Sequence, residues 1–263
     1  MNPIDALFTR LRAEKRTAFM PFLAAGDPDL GATAAVVREL ARRGAGLVEI
    51  GFPYSDPIAD GPVIQASYTR ALKKGVRVED IFRCVRELGA VGVPLVGMVS
   101  YSIVHRRGPE TFLKQAQEAG FSGAIIPDLP VEEAEDIARL AAARDFKLIH
   151  LITPTTPKER AVQIARLSTG FLYVVSTTGI TGERDRLPET LVGHLAWLRQ
   201  QTPLPLCVGF GISKPEQVRP LRGVADGVIV GSAIVRRIEQ SPPAELVRQV
   251  GELAQSLSEA LNS

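Results

Sequence analysis

Glu49 sits near the end of an otherwise apolar run, 46–51, and a loop stiffened by Pro53, Pro57 and Pro62 carries Asp56 and Asp60 just beyond it. In an extended chain alternate side chains share a face, so Leu47, Glu49 and Gly51 point one way and Val48 and Ile50 the other. An ionised carboxylate on such a face must find a partner, meet water at a cavity mouth, or have its pKa raised. The last two suit a catalytic acid or base. A buried glutamate paired with an arginine, beside turn-forming aspartates, fits the same residues, and this segment alone leaves both readings open. Farther along, glycines recur in 176–182, in Gly209-Phe210-Gly211-Ile212-Ser213 and in Gly231-Ser232-Ala233. Glycine lets backbone N–H groups approach an anion closely, and N–H groups at a helix start donate to it, so Gly182, Gly211, Gly231 and Ser232 are candidate phosphate ligands. Glu49 and Asp60 opposite a phosphate cradle, with Tyr173 nearby, are equipment for proton transfer on a phosphorylated substrate without an organic cofactor.

The elements that must position these residues repeat along the chain. Short β-type runs are expected at 19–23, 46–51, 94–101, 123–127, 147–152, 171–176, 205–210 and 227–230. Helical periodicity falls between them, at 32–43, 63–74, 78–88, 110–119, 131–144, 158–167, 189–201 and 215–221; a last helix is expected over 244–261 and a short amphipathic one within 1–15. Strands so uniformly apolar, each returning through a helix, imply a parallel sheet buried on both faces. Repeated βα units of this number close into a (β/α)8 TIM barrel, here one domain over 1–263 with an enlarged second βα connection. The first strand runs into Ala24-Ala25-Gly26-Asp27-Pro28 rather than G-x-G-x-x-G, and no Walker-type lysine loop is present, which argues against an open nucleotide-binding sheet. In a barrel the chemistry gathers at the C-terminal strand ends. Those ends carry Phe22, Glu49 with Asp60, Tyr101, Asp128, Tyr173, Phe210 with Gly211, and Gly231 with Ser232.

Composition narrows the classes further. At 263 residues and a net charge of +2, with no long basic run, nucleic acid is not the expected partner. Cys84 and Cys207 lack short-spaced partners, and His105, His150 and His194 are dispersed, so no metal site is expected. Lys147 begins its strand and Lys214 lies beyond the seventh loop, which leaves no lysine in the mouth for Schiff-base chemistry. The longest apolar run, 91–104, is too short to span a bilayer, and residues 1–15 lack the apolar block of a signal peptide, so a cytoplasmic protein without membrane contact is expected.

Several stretches together resemble the tryptophan synthase alpha subunit family: residues 22–28, Pro53-Tyr54-Ser55-Asp56-Pro57-Ile58-Ala59-Asp60-Gly61-Pro62, Asp128-Leu129-Pro130, Gly179-Ile180-Thr181-Gly182, 209–213 and 231–235. They occur in order over nearly the whole chain. The resemblance implies a (β/α)8 barrel that cleaves indole-3-glycerol phosphate to indole and glyceraldehyde 3-phosphate. It also implies a pyridoxal-phosphate-dependent beta subunit as partner in an α2β2 heterotetramer, with no cofactor on this chain. Carried onto these positions, Glu49 is the acid at indole C3 and the base toward the glycerol hydroxyl, Asp60 stabilises the charge growing at the indole nitrogen, and Tyr173 positions both substrate and Asp60. Phe22 and Tyr101 contribute to the indole pocket, Gly182, Phe210, Gly211, Gly231 and Ser232 to substrate and phosphate binding, and Thr181 closes over the site. Ser102-Ile103-Val104 stands where many members carry Asn after the tyrosine, and Thr177 where many carry Arg. The competing readings are a stand-alone indole-producing lyase and a magnesium-dependent phosphosugar enzyme using Glu49, Asp56 and Asp60 as oxygen ligands.

Overall fold

The computed structural model describes residues 1–58, 60–176, 189–211 and 214–262. Its strands are β1 (Ala18–Ala24), β2 (Val48–Gly51), β3 (Leu95–Met98), β4 (Phe121–Ile125), β5 (Lys147–Ile149), β6 (Leu151–Ile152), β7 (Leu172–Val175), β8 (Leu206–Phe210) and β9 (Gly227–Val230). The helices are α1 (Pro3–Glu14), α2 (Leu30–Arg42), α3 (Pro62–Lys73), α4 (Val78–Leu88), α5 (Tyr101–Arg107), α6 (Pro109–Ala119), α7 (Glu135–Ala142), α8 (Lys158–Leu167), α9 (Glu189–Gln201), α10 (Ser232–Gln240) and α11 (Leu246–Asn262). All strand pairings are parallel, in the order β5-β4-β3-β2-β1-β9-β8-β7-β6. The ends of that order, β5 and β6, are halves of one strand, so the sheet wraps into a nearly closed barrel, the (β/α)8 architecture expected from the alternation of elements.

The expected strand 147–152 is broken at His150 because its backbone finds side-chain partners. The His150 N–H donates to the Ser168 hydroxyl at 2.9 Å and the Leu148 N–H to the Thr169 hydroxyl at 2.8 Å. The ladder resumes on the other side, where the Tyr173 N–H donates to the His150 carbonyl at 3.1 Å.

Other boundaries also depart from expectation, each for a local reason. The strand expected over 94–101 stops at Met98, because Ser100 caps a new helix, α5, by accepting from the Ser102 N–H. The helix expected over 215–221 is instead two 3₁₀ turns, Pro215–Gln217 and Arg219–Leu221, since Pro220 has no N–H to give and its ring blocks continuation. Residues 131–144 divide into a 3₁₀ turn, Val131–Glu133, and α7. Helix α10 had no counterpart in the periodicity reading.

The strand alternation sorts side chains as expected. Leu47 packs with Met20, Val96, Ile125, Ile149 and Ile229 inside the barrel, whereas Val48 and Ile50 join the outer core with Val37 and Val85. Helix α1 seals the N-terminal end with Ile4, Leu7, Phe8 and Leu11, which recur at helical spacing and belong to that inner cluster. Asn2 fixes it there: its carbonyl oxygen caps the helix by accepting from the Ile4 N–H, and its amide donates to the carbonyls of Ser122 and Asp145. At the opposite end the interior is left open, and the C-terminal strand ends meet there.

Candidate active site

Register brings the chemistry together. Phe22 on β1 lies beside Glu49 on β2, which lies beside Val96 on β3; across the barrel Val175 pairs with Gly209 and Gly209 with Ile229. These elements, with α3 and the start of α10, enclose a cavity of about 370 Å³ lined by Phe22, Glu49, Asp60, Ile64, Met98, Tyr173, Gly211, Ile229, Gly231 and Ser232 among others. A cavity of about 470 Å³ at the N-terminal end has Arg10 as its one ionisable lining side chain among the described residues, so it offers no acid–base pair.

Glu49 is fully buried, and neither carboxyl oxygen has a hydrogen-bond partner among the described residues. The arginine pairing considered from sequence is therefore not made. Burial pushes its pKa up to about 8, so near neutral pH the group is mainly the neutral acid. Asp60 is also raised by burial, but only to about 6, because a hydrogen bond from Tyr54 acts in the opposite direction. Two carboxyl groups lining one cavity are thus held on opposite sides of neutrality, a protonated donor beside an ionised acceptor of positive charge. Tyr173 is kept neutral: burial, then the charges of Glu49 and Asp60, hold its phenol well above its ordinary value.

Glycines give these rings their space. A Cβ on Gly209 would lie 2.5 Å from the Tyr173 hydroxyl, and one on Gly51 would lie 2.5 Å from the Tyr68 hydroxyl and 2.6 Å from Phe22. Gly231 differs. Its backbone is right-handed helical, and a Cβ there would meet Phe22 at an ordinary 3.5 Å, so neither conformation nor packing demands glycine. What remains is room for a ligand above the first turn of α10, whose N–H groups have no intrahelical partner and whose dipole favours an anion.

Of the residues singled out from sequence, Phe22, Glu49, Asp60, Tyr173, Gly211, Gly231 and Ser232 meet at this cavity. Tyr101 is not among its lining residues: its position opens α5, its N–H donates to the Asp128 carboxylate at 2.7 Å, and its ring packs on His105. Thr177, Gly179, Thr181 and Gly182 lie outside the described residues, as does the side chain of Phe210. Among the described residues no group of three or more His, Cys, Asp or Glu is arranged to hold a metal, and Asp56 is exposed whereas Glu49 is buried. Sequence reasoning missed Tyr54, Tyr68, Ile64 and Met98 around the mouth. Ile64 and Tyr68 were legible in principle, being four residues apart on the face of α3 that looks into the site.

Comparison with known proteins points one way. Residues 8–262 match the family model described as tryptophan synthase alpha chain. The tryptophan synthase alpha chain of Rhodopirellula baltica is 48% identical, with both chains covered in full. That of Microcystis aeruginosa is 44% identical over 99% of this chain and 100% of its own. Among solved structures, tryptophan synthase subunit alpha from Legionella pneumophila superposes with a TM-score of 0.91 at 34% identity, covering 99% of this chain and 98% of its own. A ligand-free tryptophan synthase from Mycobacterium tuberculosis gives 0.89 at 29% identity, covering 99% of both chains.

Proposed function

The chain belongs to the tryptophan synthase alpha chain family and is a lyase of tryptophan biosynthesis, and from that premise we propose that Glu49, Asp60 and Tyr173 carry out retro-aldol cleavage of indole-3-glycerol phosphate. The neutral carboxyl of Glu49 gives its proton to indole C3, and the indolenine that forms carries positive charge at nitrogen. Asp60, ionised, accepts the hydrogen bond of that N–H and stabilises the charge as it grows. The carboxylate left on Glu49 then takes the proton of the glycerol hydroxyl next to the breaking bond. The electron pair of that carbon–carbon bond returns to the ring, releasing indole and the aldehyde of glyceraldehyde 3-phosphate, and Glu49 ends protonated as it began. Tyr173 orients the substrate and Asp60. Phe22 lies along the indole, and Gly211, Gly231 and Ser232 hold the phosphate at the start of α10; the resemblance assigns Thr181, Gly182 and Phe210 to substrate binding as well.

The observation that carries this reading is the buried carboxyl of Glu49, without a hydrogen-bond partner among the described residues, facing a cavity it shares with Asp60. The reaction needs no cofactor on this chain, and the partner proposed is the pyridoxal-phosphate-dependent beta subunit in an α2β2 assembly in the cytoplasm. No helix among the described residues is long and apolar enough to cross a membrane. The test is indole release from indole-3-glycerol phosphate, with and without EDTA. Glu49→Gln is expected to lose about 10²–10⁴ in rate, and EDTA to change nothing. A loss below about tenfold would remove Glu49 from the acid role, and abolition by EDTA would favour a metal-dependent enzyme.

A further inference from the structure

A further cavity, of about 270 Å³, is bounded by α8, by the residues that follow β4 and by those that join β5 to β6. Ile126, Leu129, Val131 and Ile164 wall it, all of them members of the outer core, and it shares no lining residue with the active cavity. Most polar side chains on its lining are already engaged. The Asp128 carboxylate accepts from the Ser100 hydroxyl and from the Tyr101 N–H, each at 2.7 Å. The Thr156 hydroxyl accepts from the Thr153 N–H at 3.0 Å and pairs with the Thr153 hydroxyl at 3.0 Å. Exposed Arg160 is bidentate to Glu132, so its charge is matched.

His150 is the exception. It lines the cavity at 4% exposure, yet its Nε2 is buried with no hydrogen-bond partner among the described residues. Burial pushes its pKa down to about 4, so near neutral pH the ring is uncharged and can offer Nε2 as donor or acceptor according to its tautomer. A buried polar group left unpaired is costly, and in a native protein it calls for something that completes it. Glu49 stands in the same relation to the active cavity, buried on its lining and without a partner among the described residues. We propose that the cavity beside α8 is a second ligand site, taking a small, uncharged, largely apolar molecule whose single N–H or O–H meets His150. Walls, charge and size each select that class. The walls are aliphatic, Asp128 and Arg160 are already satisfied so that a charged ligand would gain no free partner, and a volume just under the ~300 Å³ at which ligand pockets begin suits a molecule of about ten non-hydrogen atoms. Such a site is independent of the role given to Glu49.

Indole and 1-methylindole, alike in shape and different in the N–H, are the probes. The chain has three histidines and none lines the active cavity, so NMR of isotope-labelled histidine rings reads this site even where indole also enters the other. His150→Phe identifies the resonance by its loss. With indole the His150 Nε2 signal is expected to move saturably, and the apparent Kd of 1-methylindole to be weaker by about tenfold, the worth of one hydrogen bond. Ile164→Phe, which fills the cavity from α8, is expected to abolish the movement while His150 remains. A His150 signal that stays still at millimolar indole, equal affinity for the two probes, or a full response in Ile164→Phe overturns the assignment. In Glu49→Gln the response is expected unchanged, whatever that variant does to lysis; its loss there would place the indole in the active cavity and overturn the second site.

Discussion

The opposed environments of Glu49 and Asp60 set a pH window. With the roles proposed for them, lysis needs Asp60 ionised and Glu49 protonated, so kcat/KM should rise through about 6 and fall above about 8, the values to which burial, opposed at Asp60 by Tyr54, brings them. A profile still climbing well beyond pH ~9 would show that Glu49 does not enter the reaction as an acid. The same burial should cost stability. Between the ordinary value of 4.5 and about 8 the unfolded chain has lost a proton that the native protein keeps, so stability falls as pH rises across that interval. Glu49→Gln should therefore be inactive yet more stable than wild type, by roughly 2–4 kcal/mol at pH ~8 and by little near pH ~4, as urea unfolding at the two pH values would read. Equal stability of the two proteins at both pH values would mean that Glu49 is solvated in the native state.

Among the elements, the strand-end glycines divide into those that hold protein and those that leave space for ligand. Gly209→Ala should push the Tyr173 ring from its place and cut kcat by about tenfold or more, because misplacing a positioning group by an ångström is costly. Gly231→Ala should keep kcat and fold while raising KM for the phosphorylated substrate, since its Cβ meets only ordinary contacts inside the protein. Matched kinetics in the two variants would erase the distinction. This division could not be read from the sequence, in which Gly209, Gly211 and Gly231 look alike. What could be read was the part governed by period: apolar runs alternating with amphipathic helices gave the barrel, and the position of Glu49 two residues before Gly51 gave its inward face. Boundaries set by single partners were hidden. Nothing local announces that Ser100 will cap a helix or that Ser168 and Thr169 will draw away the N–H groups of the fifth strand. Pro220 did announce a break, and the apolar spacing around it outweighed the signal in the expectation of a helix over 215–221.

For the molecule as a whole, the barrel mouth is also the face on which the proposed beta subunit would dock. The loop from Pro53 to Pro62 presents exposed Asp56 and Ile58, the latter 85% accessible, on the same segment that ends at Asp60. A beta subunit docking there would press on the loop that aims the carboxylate, and substrate would in turn tighten the complex. Asp56→Ala should leave the isolated chain's lysis nearly unchanged and reduce its stimulation by a beta subunit; full stimulation, or a loss of basal activity, would show that Asp56 is not an interface relay. The broken fifth strand has a consequence of another kind. Between the fifth strand and the segment leading into β7, two of the joining bonds run to hydroxyls, from the Leu148 N–H to Thr169 and from the His150 N–H to Ser168, beside backbone bonds from the Thr169 N–H to the Leu148 carbonyl and from the Tyr173 N–H to the His150 carbonyl. The barrel therefore has a seam. Amide exchange should be fastest among the strands at Leu148 and His150, and Ser168→Ala, by orphaning a buried N–H at a cost of about 1–3 kcal/mol, should speed exchange there before it does so in β1, β2 or β9. A cylinder that unzips along one line, and does so beside its own phenol, ties the lifetime of the closed wall to the lifetime of the catalytic geometry.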